Sequence, residues 1–258
     1  MIATLSKIKP KSKVKLKKRI NAVVIDKSKN LSSGIGATTL NDGLTYGKYP
    51  YGTRVQDENI SLNDPDIMEV LGVYESYDIS NPSPPKASLS SISGPSGKTT
   101  DLIIGEKLIG KTSGAIAIYA ERLSDSQIVF ISKNDFTFKE GEIITFEESK
   151  IQAIVSALET PSINVSANFT FNNGQKGTHY DYGYLTRKTD AKEPTRKLKV
   201  YFSNGYYESS DDGDITTTES YKSLNYTNDI QSVNGVRNTD IIDIRPRVST
   251  YQIGRAHV

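Results

Sequence analysis

The sequence predicts an all-β protein of two or three small modules, the middle one a small barrel-like unit of about five strands. Three observations predict it. Apolar residues alternate with polar ones, or gather in short runs, between Gly, Asn, Asp and Ser punctuation. The aromatic content is 15 Tyr and 7 Phe with no Trp, in a background rich in Ser, Thr and Asn. The hydrophobic fraction of 36% is low for one thick core in 258 residues and favours several thin ones.

The net charge of +2 gives no global field for binding a polyanion. Absence of Cys excludes thiol catalysis, disulfides and Cys-based zinc sites. No apolar run reaches the ~20 residues needed to span a bilayer, so no membrane insertion is expected. The first residues, Met-Ile-Ala-Thr-Leu-Ser-Lys, lack the apolar core of a signal peptide.

Residues 1–19 are a basic N-terminal segment. Lys7, Lys9, Lys11, Lys13, Lys15 and Lys17 alternate, which puts their charges on one face of an extended chain. A nucleic-acid or acidic-partner arm is one reading. A solvated strand or loose tail is the favoured one, because no aromatic residues interleave the charges. Residues 20–78 read as a small β unit, with strands over Ile20–Ile25 and Met68–Tyr74. Residues 79–100 are rich in Ser, Pro and Gly and read as a linker. Within them, Gly94 to Thr100 echoes a phosphate-binding loop, but its spacing fails and a strand follows where a helix is required.

Residues 101–158 divide into five strands: Leu102–Ile109, Ala115–Arg122, Gln127–Ser132, Glu142–Glu147 and Ile151–Leu158. A closed barrel of short strands leaves no open edge. Gly105-Glu106 with Ser113 later is echoed by Gly141-Glu142 with Ser149 later, as two hairpins of one barrel would produce. Residues 159–251 form the last module. It opens on a hairpin in which Phe169 and Phe171 alternate, Asn173-Gly174 gives the turn, and Tyr180, Tyr182 and Tyr184 follow at period two. Leu198–Phe202 is a strong strand, Thr216–Tyr221 reads as another, and Arg237–Val248 closes the module.

Few residues offer chemistry. Glu208, Asp211, Asp212 and Asp214 could take Ca²⁺, but the spacing is not that of an EF-hand, and a solvated hairpin tip is favoured. His179 has no second ligand at metal-binding spacing. The tyrosine stripe could stack sugars or bases, although such a stripe more often packs a sheet face on its neighbour. Asp181 and Asp243 have no specificity as a glycosidase pair. Arg245 and Arg247 flank a proline on one strand face, and each could fork onto a carboxylate such as Asp181. An internal or subunit-bridging ion pair is the favoured reading, anion binding the second.

Three stretches carry a resemblance together. They are Asn164 to Lys176 with Tyr180-Asp181-Tyr182, Glu193 to Phe202, and Val236 to Val248. In order and spacing they resemble a domain of unknown function in large virion structural proteins of marine contractile-tailed phages, especially cyanophages. Tyr51 to Gln56 and Val73 to Ser76 are similar to the region preceding that domain. Lys176, Ile215 and Ile244 depart from the family's usual Arg, aromatic and Phe. The resemblance implies a tail or baseplate component with no catalytic residues to transfer. The last seven residues, Gln252 to Val258, resemble translated sequencing-adapter read-through, so the natural polypeptide is expected to run on past Tyr251.

These readings converge on a non-enzymatic virion protein, assembled in the host cytoplasm and acting through contacts with other virion subunits. No cofactor, metal or nucleic acid is expected. The interface candidates are Tyr180, Asp181, Tyr182, Tyr184, Asp243, Arg245 and Arg247. A carbohydrate- or receptor-binding module of a tail fibre is the alternative. A hydrolase comes third, for want of a nucleophile–base pair in the sequence.

Overall fold

A computed structural model describes residues 9–29, 34–35, 53–159, 162–176, 179–180, 182–225, 228–233 and 235–237. The chain is all-β, with two packed sheets and a closed barrel; no α-helix occurs among the described residues.

Strands β1 (Lys15–Ile25), β15 (Leu198–Tyr207), β3 (Ile67–Glu75) and β10 (Ile163–Asn164) form a four-stranded antiparallel sheet in that order. Strands β11 (Phe169–Asn172), β14 (Tyr182–Arg187) and β2 (Asn59–Pro65) form a second sheet. Alternate residues of both sheets meet in one core. Val73, Leu198, Val200 and Phe202 come from the first sheet, and Ile60, Leu62, Phe169 and Leu185 from the second. The segments expected as separate modules, 20–78 and 159–251, therefore share one sandwich. Neither has enough strands to cover its own apolar face, so each supplies strands to both sheets.

The barrel closes in the order β4 (Lys86–Ser93), β7 (Gln127–Ser132), β6 (Ile116–Ser124), β5 (Lys107–Gly110), β8 (Ile143–Phe146), β9 (Gln152–Glu159). All five expected strands are present. The sixth, β4, lies inside the stretch read as a linker, which corrects that reading. Ala87 and Leu89 of β4 point into the barrel core between serines, and β7 and β9 supply its ladder on either side. Two partners order a segment whose own composition favours disorder. The phosphate-loop echo is also resolved: Thr99 is buried, and its hydroxyl donates to the Asp125 carbonyl at 2.9 Å.

The Gly-Glu echo is a structural symmetry. Glu106 and Glu142 are buried, each at the start of a hairpin. The Glu106 carboxylate accepts from Ile103 N–H (2.7 Å) and reaches across to Glu148 N–H (3.0 Å), Ser149 N–H (2.9 Å) and the Ser149 hydroxyl (3.0 Å). The Glu142 carboxylate accepts from Lys139 N–H (2.5 Å), Thr112 N–H (3.2 Å), Ser113 N–H (3.0 Å) and the Ser113 hydroxyl (2.9 Å). Each glutamate thus closes its own turn and holds the turn of the other hairpin. The offset that carries Glu106 to Glu142 also carries Gly105 (φ 85°) to Gly141 (φ 84°) and the β5·β8 pairing onto itself. The barrel is two β-β-β units, β4–β6 and β7–β9, related by a pseudo-two-fold axis.

The barrel sits on the outer face of the four-stranded sheet. Leu71, Tyr74 and Tyr201 of the sheet pack on Ala120, Val129 and Ile131 of the barrel wall. Strand β15 is buried on both faces, which is why Leu198–Phe202 reads as a near-continuous apolar run. Tyr74 and Tyr201 meet edge to face with ring centroids 6.2 Å apart. Burial pushes the Tyr74 phenol up to about 12 and raises that of Tyr201 as well. The Tyr201 hydroxyl makes no hydrogen bond within the described residues. A buried hydroxyl without a partner costs about 1 kcal/mol or more, so Tyr201→Phe should raise stability by about 1 kcal/mol. Urea unfolding checks this, and a destabilised variant would show that the hydroxyl has a partner.

Candidate functional site

The opening hairpin forms with a different turn from the one expected. β11 pairs with β14, and the arms continue as β12 (Gln175–Lys176) and β13 (His179–Tyr180). The arms are still paired at Lys176 and His179, so the hairpin does not reverse at Asn173-Gly174. Asn173-Gly174 instead kinks the first arm. Gly174 takes φ 74°, and its N–H donates to the Asn172 side chain at 2.9 Å. That Asx-type bend uses the same residues as a hairpin turn, which is why the sequence is ambiguous.

Tyr182 and Tyr184 project from the outer face of the three-stranded sheet. Leu185, at the opposite parity, enters the core, and Gly183 packs so closely that a Cβ there would lie 2.8 Å from Ile67. Among the described residues no sheet covers Tyr182 and Tyr184, and Tyr182 is 45% exposed. Register places Asn172 and Ser61 beside Tyr184, and Thr170 and Asn59 beside Thr186. The Thr186 hydroxyl donates to the Asn59 side-chain oxygen at 2.7 Å. Among the described residues, hydroxyls and amides thus flank Tyr184 and Thr186. Asp181, Asp243, Arg245 and Arg247 lie outside the described residues, as does the side chain of Tyr180, so the expected carboxylate–arginine grouping falls there too.

The two charged motifs face each other. The Lys11 ammonium pairs with Asp212 at 2.6 Å, and its N–H donates to Asp214 at 2.9 Å. Val14 N–H donates to Asp211 at 2.7 Å. Together with the Gly213 N–H this holds the Asp211 carboxyl below its usual range. Lys15, 4% exposed, pairs with Asp66 at 2.7 Å and lies over the rings of Tyr207 and Tyr221. Lys17 pairs with Asp229 at 2.5 Å. The two motifs thus engage each other through one ion pair and two backbone N–H groups, while Lys15 and Lys17 take Asp66 and Asp229 from elsewhere in the chain. Chain separation hid this, since no local spacing rule relates residue 11 to residue 212.

The Thr216–Tyr221 stretch is a 3₁₀ turn over Thr218–Tyr221, not a strand. Thr217 caps it: its hydroxyl accepts from Glu219 N–H, and its own N–H donates to the Ser220 hydroxyl. Sequence reasoning missed this S/T-x-x-S cap because the Thr run also has strand propensity. Among the described residues, no three His, Asp or Glu side chains form a group able to hold a metal ion. No protein-family profile, curated protein or solved structure matches the chain.

Proposed function

We propose that the chain is a structural subunit of a contractile phage tail or baseplate, acting through subunit–subunit contacts and not catalysis. The resemblance of the three stretches to phage virion proteins carries this reading. Supporting it, two of those stretches and the upstream Val73–Ser76 segment belong to one sandwich, where Val200 pairs with Val73 and Glu75 accepts from Thr195 and Arg196 N–H. The tyrosine-bearing face has the composition of a wet, specific protein contact, with rigid aromatic anchors among adaptable polar groups. A stable contact of ordinary size buries roughly 1,600 Å² in total. Antibody against the chain should decorate tails in negative-stain micrographs of the particle, whereas label confined to the host cytosol would overturn the reading. Truncating both Tyr182 and Tyr184 to Ala should weaken the contact by about 2 kcal/mol or more.

The alternative is carbohydrate or receptor recognition by a tail fibre. The observation favouring it is the same face, since tyrosines flanked by amides and hydroxyls also suit a sugar ring. A glycan array with the full chain separates the two readings. Binding that Tyr182→Ala and Tyr184→Ala abolish supports recognition, and silence across the array removes it.

A further inference from the structure

The stretch 208–225 has little structure of its own. It holds one 3₁₀ turn, and its apolar residues Tyr221 and Leu224 join Ile230 on Met68 in a small cluster. Among the described residues, many of its polar contacts are to residues 11–17. Lys13 N–H donates to Ile215 O at 2.8 Å, and Asp214 N–H donates to Lys11 O at 2.8 Å. The Ser12 and Thr217 hydroxyls meet at 2.7 Å, and the Ser223 hydroxyl donates to the Lys15 carbonyl. Gly213 lies flat on the strap, where a Cβ would come within 2.6 Å of the Lys13 backbone. Asp229 links the two ends: it takes the Lys17 ammonium on one oxygen and Asn225 N–H on the other at 3.0 Å.

We propose that residues 11–17 are an electrostatic latch that holds 208–225 against the sheet edge, and that its release frees this stretch as one unit while sandwich and barrel stay folded. Three features carry the proposal. The contacts are ionic or short-range polar. The apolar cluster beneath is small. The sandwich and barrel cores draw none of their buried residues from 208–225. A segment so attached belongs to the low-stability end of a structure. Opening separates Lys11 from Asp212 and frees the Asp211 and Asp214 carboxylates from the Val14 and Lys11 N–H groups, while Lys15 keeps its partner Asp66.

Hydrogen exchange of the full chain, read by mass spectrometry, tests this. In Lys17→Glu, peptides covering 208–225 should exchange about tenfold faster, while peptides covering 143–155 and 198–203 keep their protection. Lys11→Glu should speed the same peptides, and adding Asp212→Lys should restore their protection by reversing that pair. High salt should speed the same peptides in the parent chain, because at ~1 M the screening length falls to about 3 Å. An equal rise across all peptides, no rise over 208–225, or failure of the reversed pair to restore protection would each overturn the latch.

Discussion

Replacing Glu142 by Ala should cost about 3 kcal/mol of stability, because it strips the charged acceptor from three backbone N–H groups and a hydroxyl at a partly buried site. Glu106→Ala should cost a similar amount, since its carboxylate does the same for the other half of the barrel. Glu142→Gln should cost less: it keeps one acceptor oxygen and the side chain's shape. The pH dependence follows from the direction of the shift. Burial alone would raise the Glu142 pKa, but the bonds from Ser113, Lys139 and Thr112 outweigh it and the folded value lies below 4.5. The stabilisation is therefore complete above the unfolded value of 4.5 and is lost as pH falls through the lower folded one. Urea titrations of parent and Glu142→Gln between about pH 3 and 7 should converge at the acid end. A constant gap across that range would show that the carboxylate charge contributes nothing.

Tyr201→Ala should cost about 3 kcal/mol and change the form of unfolding as well as its midpoint. The ring stands where β3, β15 and the barrel wall meet, 3% exposed and edge-on to Tyr74. The two large cores, one inside the barrel and one between the sheets, share no residue, and the small cluster containing Tyr201 joins them. Removing the ring should weaken that junction more than either core. Calorimetry should then show one transition in the parent and two in the variant, the barrel and the sandwich melting apart. A single cooperative transition in Tyr201→Ala would place the coupling elsewhere.

The barrel was the most legible part of the chain. Its strands are short, regularly punctuated and amphipathic, and Glu106 and Glu142 repeat at the same place in two hairpins. What the sequence concealed has a common physical origin: the information lies in partners far along the chain. β4 is half serine, and only closure between β7 and β9 makes it a strand. Lys11 and Lys17 look like free charge because their acids, Asp212 and Asp229, follow some two hundred residues later, and even the Asp66 partner of Lys15 lies 51 residues away. Asn173-Gly174 marks a chain reversal in many proteins, and here the same backbone preference makes a kink within one arm. Tyr182 and Tyr184 share one face, as period two requires, and that face is set by Gly183 and Leu185 turning toward Ile67 and the core. The grouping of Asp181 with Arg245 and Arg247 falls outside the described residues.

The barrel leaves the sandwich after β3 and the chain returns to it in β10, whose Ile163 is the antiparallel partner of Glu75 at the end of β3. Ser83 N–H donates to the Ser162 hydroxyl at 2.8 Å, tying the outgoing and returning chains together. Paired residues of an antiparallel ladder stand about 5 Å apart, a gap that a tight turn spans. The barrel is thus a cassette with adjoining ends, set into a host whose strand order does not depend on it. A replacement cassette can therefore join the same two ends, provided it also covers Leu71, Tyr74 and Tyr201 on the outer face of the sheet.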